Sequence, residues 1–130
     1  MEFSTCFEKY KKIVDSADKV FEQIKKEFSD CVSCKIECSD CCHALFDISF
    51  VEALYISQRF REKFNGPELD KLLDKANKAD RKIYKLKKEA YKDFKEGKDE
   101  TAIFEKIAEE RIRCPMLNDF DQCDIYEFRP

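Results

Sequence analysis

Residues Phe7–Phe28 read FEKYKKIVDSADKVFEQIKKEF, a run whose apolar side chains keep a fixed beat. Phe7, Val14, Phe21 and Phe28 recur every seven residues, and Tyr10, Ala17 and Ile24 occupy the second position of the same seam. That spacing matches one face of an α-helix, not the alternation of a strand. It predicts an amphipathic helix over 4–29 with lysine and glutamate on its outer faces. The same beat returns in Leu69, Ala76, Ile83 and Ala90, with Leu72, Ala79 and Leu86 between, and predicts a second long helix over 68–96. Gly97 is its natural stop. Ser49 and Glu52 have capping-box spacing, so a helix begins there and runs to Phe64 before Asn65-Gly66-Pro67. Asp99 caps a shorter helix to Arg111 that buries Ala102, Ile103, Ile107 and Ala108. The expectation is a mostly α fold: one small helical domain over 1–130, two long antiparallel helices, and irregular cysteine-rich loops at one end.

Composition narrows the function classes. Of 130 residues, 25 are basic and 28 acidic, so a net charge of −3 gives no global attraction to nucleic acid or anionic membrane. Gly66 and Gly97 are the only glycines, which excludes glycine-rich phosphate loops. His43 is the only histidine, which excludes paired-histidine zinc fingers and HExxH sites. The N-terminus is broken by charge throughout and no window is apolar enough to span a bilayer, so a cytoplasmic protein with no membrane partner is expected. Lys71, Lys75, Lys78, Lys82 and Lys85 line one flank of the second long helix. With few aromatics interleaved for base stacking, they read as a solvated face and not as a nucleic-acid stripe.

Eight cysteines are the anomaly. Between Cys31 and Asp47 the helical beat stops and the spacing becomes Cys31-x2-Cys34-x3-Cys38-x2-Cys41-Cys42, followed far downstream by Cys114-x8-Cys123. Thiolates two or three residues apart can converge on one centre, and reduced cytosolic cysteines in such groups bind metal more often than they form disulfides. Seven clustered thiolates exceed the four that a zinc ion or a [4Fe–4S] cluster requires. Adjacent Cys41 and Cys42 alternate in direction and seldom serve one mononuclear ion together. The surplus favours a cluster, two metals, or a site with spare redox thiols. Cys31 reads equally as a ligand or a spare thiol, and Cys6, inside the first helix, as a small packed hydrophobe. His43 reads as a ligand, a proton carrier or a hydrogen-bonding neighbour. Tyr126 and Arg129 are placed to donate to cluster sulfurs, or else simply to pack.

The segment Cys34-Lys-Ile-Glu-Cys38-Ser-Asp-Cys41-Cys42 resembles the CxxxCxxCC signature of the YkgJ-type cysteine-cluster proteins, described as zinc- or iron-chelating. Arg113-Cys114-Pro115-Met116-Leu117 followed by Cys123-Asp124-Ile125-Tyr126-Glu127-Phe128-Arg129-Pro130 is similar to the family's second block, CP-x-L…C-x-IYE-x-RP. Together the two cover about a quarter of the chain. The resemblance implies a metal or iron–sulfur centre held by Cys31, Cys34, Cys38, Cys41, Cys42, Cys114 and Cys123. Relatives continue past the Arg-Pro with a further cysteine, so against that pattern the chain reads as truncated. One related branch, the flagellin lysine N-methylases, is associated with methyl transfer, but no motif here supplies that chemistry. The functional expectation is an iron–sulfur protein with a redox or cluster-dependent modification role. The alternative is a structural zinc module that presents its helices to a protein partner, and thiol exchange without metal ranks last.

Overall fold

The computed structural model describes residues 3–35 and 38–130. Among them are four helices, α1 (Ser4–Glu27), α2 (Phe50–Lys63), α3 (Gly66–Lys95) and α4 (Glu100–Glu109), with 3-10 turns at Asp40–His43 and Tyr126–Phe128. The mostly helical class is the one the seven-residue beat predicts. The helix ends follow from named side chains. The Ser49 hydroxyl accepts from the Glu52 N–H at 3.4 Å while the Ser49 N–H donates to the Glu52 carboxylate at 2.6 Å, closing the capping box on α2. Asp99 accepts from the Ala102 N–H at 2.9 Å at the head of α4. Gly97, at φ +74°, lets the Lys98 N–H turn back to the Asp93 carbonyl at 3.1 Å and end α3.

The core gathers where α2 ends, α3 begins and the C-terminal tail returns. Phe64, Leu72, Ile125 and Phe128 are buried together, with Phe60, Met116 and Cys123 packed partly against them. The tail is thereby fixed to the helices beside one of its cysteines. The closest backbone approaches between helices are α1 with α2 and α3 with α4, and the Tyr126–Phe128 turn lies on α2. An antiparallel pair of long helices is compatible with this arrangement, yet each long helix takes its nearest contacts from the short helix next to it in sequence. The four residues between α3 and α4 account for the second of these pairings, whereas α1 and α2 meet across the 22 residues of the cysteine-rich loop.

The stripe of α3 is covered along its length: Leu72 and Leu86 are buried, and Leu69, Ala76, Ala79, Ile83 and Ala90 are half-buried. The stripe of α1 is covered only at its N-terminal end. There Phe7 and Tyr10 meet the Tyr55 ring edge-on at 5.5 and 5.2 Å. Two burial expectations fail. Cys6 is exposed, because it lies roughly 100° around the helix from Phe7. In α4, Ile103 is buried and Ile107 half-buried, but Ala102 and Ala108 are exposed on the flanks of the packed edge. Among the described residues no helix is long and apolar enough to cross a membrane.

Candidate metal centre

The cysteine-rich loop is organised by backbone turns. Its 3-10 turn is closed by the Cys42 N–H donating to Ser39 O at 3.0 Å and the Ala44 N–H to Cys41 O at 3.2 Å. Successive side chains on a 3-10 turn stand about 120° apart, not opposed as on a strand. Cys41 and Cys42 are therefore not opposed as on a strand, and Cys41 is among the neighbours that raise the Cys42 thiol. The Nδ1 of His43 donates to the Ser39 carbonyl at 3.0 Å. In the neutral ring that hydrogen bond fixes the proton on Nδ1 and leaves the lone pair on Nε2, the arrangement found in metal-ligating histidines.

The second cysteine pair sits on a tight hairpin. Leu117 and Cys123 form an antiparallel bridge, the Asp124 N–H donates to Met116 O at 2.9 Å, and the Asn118 N–H donates to Gln122 O at 2.9 Å. Asn118 fills the turn, its Oδ1 accepting from the Phe120 and Gln122 N–H groups. Asp121 takes the left-handed conformation at φ +59°. Arg113 clamps the turn from outside, through the Asp121 carboxylate and the Asn118 carbonyl. The eight residues between Cys114 and Cys123 are thus a built hairpin that returns the second cysteine to the first.

Two backbone hydrogen bonds join hairpin and loop: the Cys114 N–H to Cys42 O at 2.7 Å and the Ile112 N–H to His43 O at 3.1 Å. Arg111 adds an exposed ion pair with Asp40 at 3.6 Å. Cys41, Cys42, Cys114 and Cys123 become electrostatic neighbours as a result. Burial first, then the charges of Cys41, Cys114 and Cys123, push the Cys42 thiol up to about 12. Burial also pushes Cys123 up, with Cys114 and Asp124 adding to it, against a hydrogen bond from the Ile125 N–H and the charge of Arg129. Cys42 and Cys123 therefore hold their protons tightly, and ligation would have to release them to a cation that offsets the crowded negative charge.

The other expected residues sit differently. Cys31 and Cys34 are exposed and Cys38 is half-buried, and none of them contributes to the shifts of Cys42 or Cys123. The Arg129 guanidinium stacks over the Tyr126 ring at 4.0 Å, donates to Tyr126 O at 2.8 Å and reaches Asp18 at 3.6 Å. Tyr126 thus holds Arg129, and the charge of Arg129 reaches Cys123. Among the described residues no three cysteine, histidine or acidic side chains stand at the spacing that would hold an ion. The quartet converges without being closed.

Two contributors escaped the sequence. The Ile125 N–H acts on the Cys123 sulfur, a role invisible in side-chain identity although its offset of two residues is suggestive. Lys75, Lys78, Lys82 and Arg113 line a groove of about 270 Å³ that borders Cys114, so part of the lysine flank faces the tail and not only solvent. Four soft thiolates with one imidazole nearby and an N–H directed at sulfur form a donor set that fits zinc or an iron–sulfur cluster and poorly fits hard cations. No family model, curated protein or solved structure matches the chain.

Proposed function

We propose that this chain carries an iron–sulfur cluster on Cys41, Cys42, Cys114 and Cys123, with Cys34 and Cys38 of the same loop in reserve. The observation that supports the reading is the backbone hydrogen bond from Cys114 to Cys42, which sets two distant cysteine motifs side by side. Its support from sequence is the resemblance of both motifs to the YkgJ-type cysteine-cluster proteins. When bound, such a cluster supplies one-electron chemistry. The chain's own residues set the conditions for it. The Ile125 N–H and Arg129 favour the ionised sulfur of Cys123. Lys75 and Lys82 line the same groove as Cys114. His43 offers Nε2 at the edge of the loop.

A structural zinc site is the second reading, favoured by the small number of ligands it requires, since four thiolates complete a closed tetrahedral site. Both readings imply a cytoplasmic protein, whose thiols stay reduced. Purification without oxygen followed by iron, sulfide and zinc analysis separates them. Iron with acid-labile sulfide and a broad visible absorption supports the cluster. One zinc per chain in colourless protein supports the staple, and neither metal after reconstitution refutes both.

A further inference from the structure

The uncovered part of α1 is the largest feature that the metal centre leaves unexplained. Past Tyr10 the stripe continues outward: Ile13 is 67% exposed, Val20 57%, Ile24 44% and Phe28 57%, with Phe21 also open to solvent. These side chains share an arc of roughly 120° on one helix. The chain exposes 10453 Å², whereas a compact monomer of its mass exposes about 7,200 Å². A standard interface takes about 800 Å² from each partner, so the surplus surface is ample for one. Soluble monomers rarely leave a contiguous apolar strip of this kind open.

The flanking charges say what covers it. In the seven-residue repeat, Lys11, Asp18 and Lys25 occupy one flank in the order plus, minus, plus. Two antiparallel copies of α1, related by a two-fold axis between Phe21 and Ile24, place Phe21 on Ile24 and Ala17 on Phe28 in the core layers. The same register sets Asp18 of each copy against Lys25 of the other, so both flanking pairs attract. A parallel pairing sets this flank against the opposite flank of the other copy, with Ile13 facing Asp18 and Val20 facing Lys25, and gains no such match. We propose that α1 is a dimerisation helix, pairing antiparallel with α1 of a second copy over residues 17–28. The interface is isologous and closed, so assembly stops at two. The overlap is only about two heptads long, so the dimer is reversible and its population depends on concentration. The Tyr55 contact already occupies Phe7 and Tyr10, which leaves the outer half of α1 as the contact region.

Sedimentation equilibrium of the full metal-loaded chain over a wide concentration range tests this. The wild type is expected to move between monomer and dimer. Asp18→Lys and Lys25→Asp each set like charges opposed in both pairs and weaken the dimer about tenfold. An equimolar mixture of the two variants restores it as a heterodimer, because both lysines of the first variant then face aspartates of the second. Ile24→Glu abolishes it, with unchanged far-ultraviolet circular dichroism showing that the fold survives. Arg129→Ala, which removes the contact that Asp18 makes within its own chain, leaves the dimer intact. A monomer at every concentration, aggregation without a stop at two, or variants that fail to complement overturns the proposal.

Discussion

The backbone N–H of Cys114 donates to the carbonyl oxygen of Cys42 at 2.7 Å. This bond holds the first residue of the tail hairpin against the last cysteine of the loop, across α2, α3 and α4. Thiols on either side of it are therefore expected to matter most. Cys114→Ser and Cys123→Ser abolish metal binding, and Cys42→Ser reduces it to a trace. Cys31→Ser, at an exposed position just past α1, keeps the wild-type stoichiometry. Metal analysis of the four purified variants checks the ranking, and equal losses in all four would contradict it.

Arg129 acts on Cys123 through charge, since its guanidinium favours the ionised sulfur from its stack on Tyr126. Arg129→Gln removes that charge while keeping a hydrogen-bond donor. The expected result is metal affinity lower by about tenfold, at the small end of the loss seen when a group outside the ligand shell is removed. If the centre is a cluster, its reduction potential also becomes more negative, because the reduced form carries more negative charge. Competition with a chelator measures the first effect and redox titration the second. Arg129→Lys restores part of both.

Most of the helical framework was legible because its signals are local. The Ser49–Glu52 box, the Asp99 cap and the Gly97 stop each depend on residues within one turn, and each forms. Which stripe is covered was less legible. The seams of α1 and α3 look alike in sequence, but only that of α3 is covered throughout, a difference that the heptad spacing of either helix does not record. The centre was legible as a list of thiols and not as a geometry. The 3-10 turn that carries Cys41 and Cys42, and the Ile125 N–H that meets Cys123, are backbone features that residue identities do not record.

The capping box on α2 predicts an acid-dependent step in stability. The Ser49 hydroxyl and then the Ser49 N–H hold the Glu52 carboxyl below its ordinary value. A carboxyl depressed in the folded state contributes stability above its unfolded value, 4.5, and loses it as the pH falls through the lower folded value. Ser49→Ala is expected to lower stability by about 1 kcal/mol at neutral pH. Glu52→Gln keeps an acceptor for the Ser49 N–H but cannot titrate, so it flattens the acid limb below pH 4.5. Thermal melts of the three proteins across the acid range decide it. An unchanged acid limb in Glu52→Gln would place that dependence elsewhere.

Cys42 predicts the opposite dependence at the alkaline end. In the metal-free chain its thiol is raised from an unfolded value of 9.0 to about 12, chiefly by burial and then by three neighbouring thiols. A group that holds its proton more tightly when folded contributes stability that is fully present below pH 9.0 and is lost as the pH rises toward about 12. The chelated protein is therefore expected to melt at progressively lower temperature above pH 9.0, and Cys42→Ser to weaken that trend. Metal binding runs the other way, since each ligating thiol must release its proton. Apparent affinity then rises with pH, and titration in two buffers of different ionisation enthalpy reports the protons released. A metal affinity independent of pH would mean that Cys42 is not deprotonated on binding, and would remove it from the ligand set.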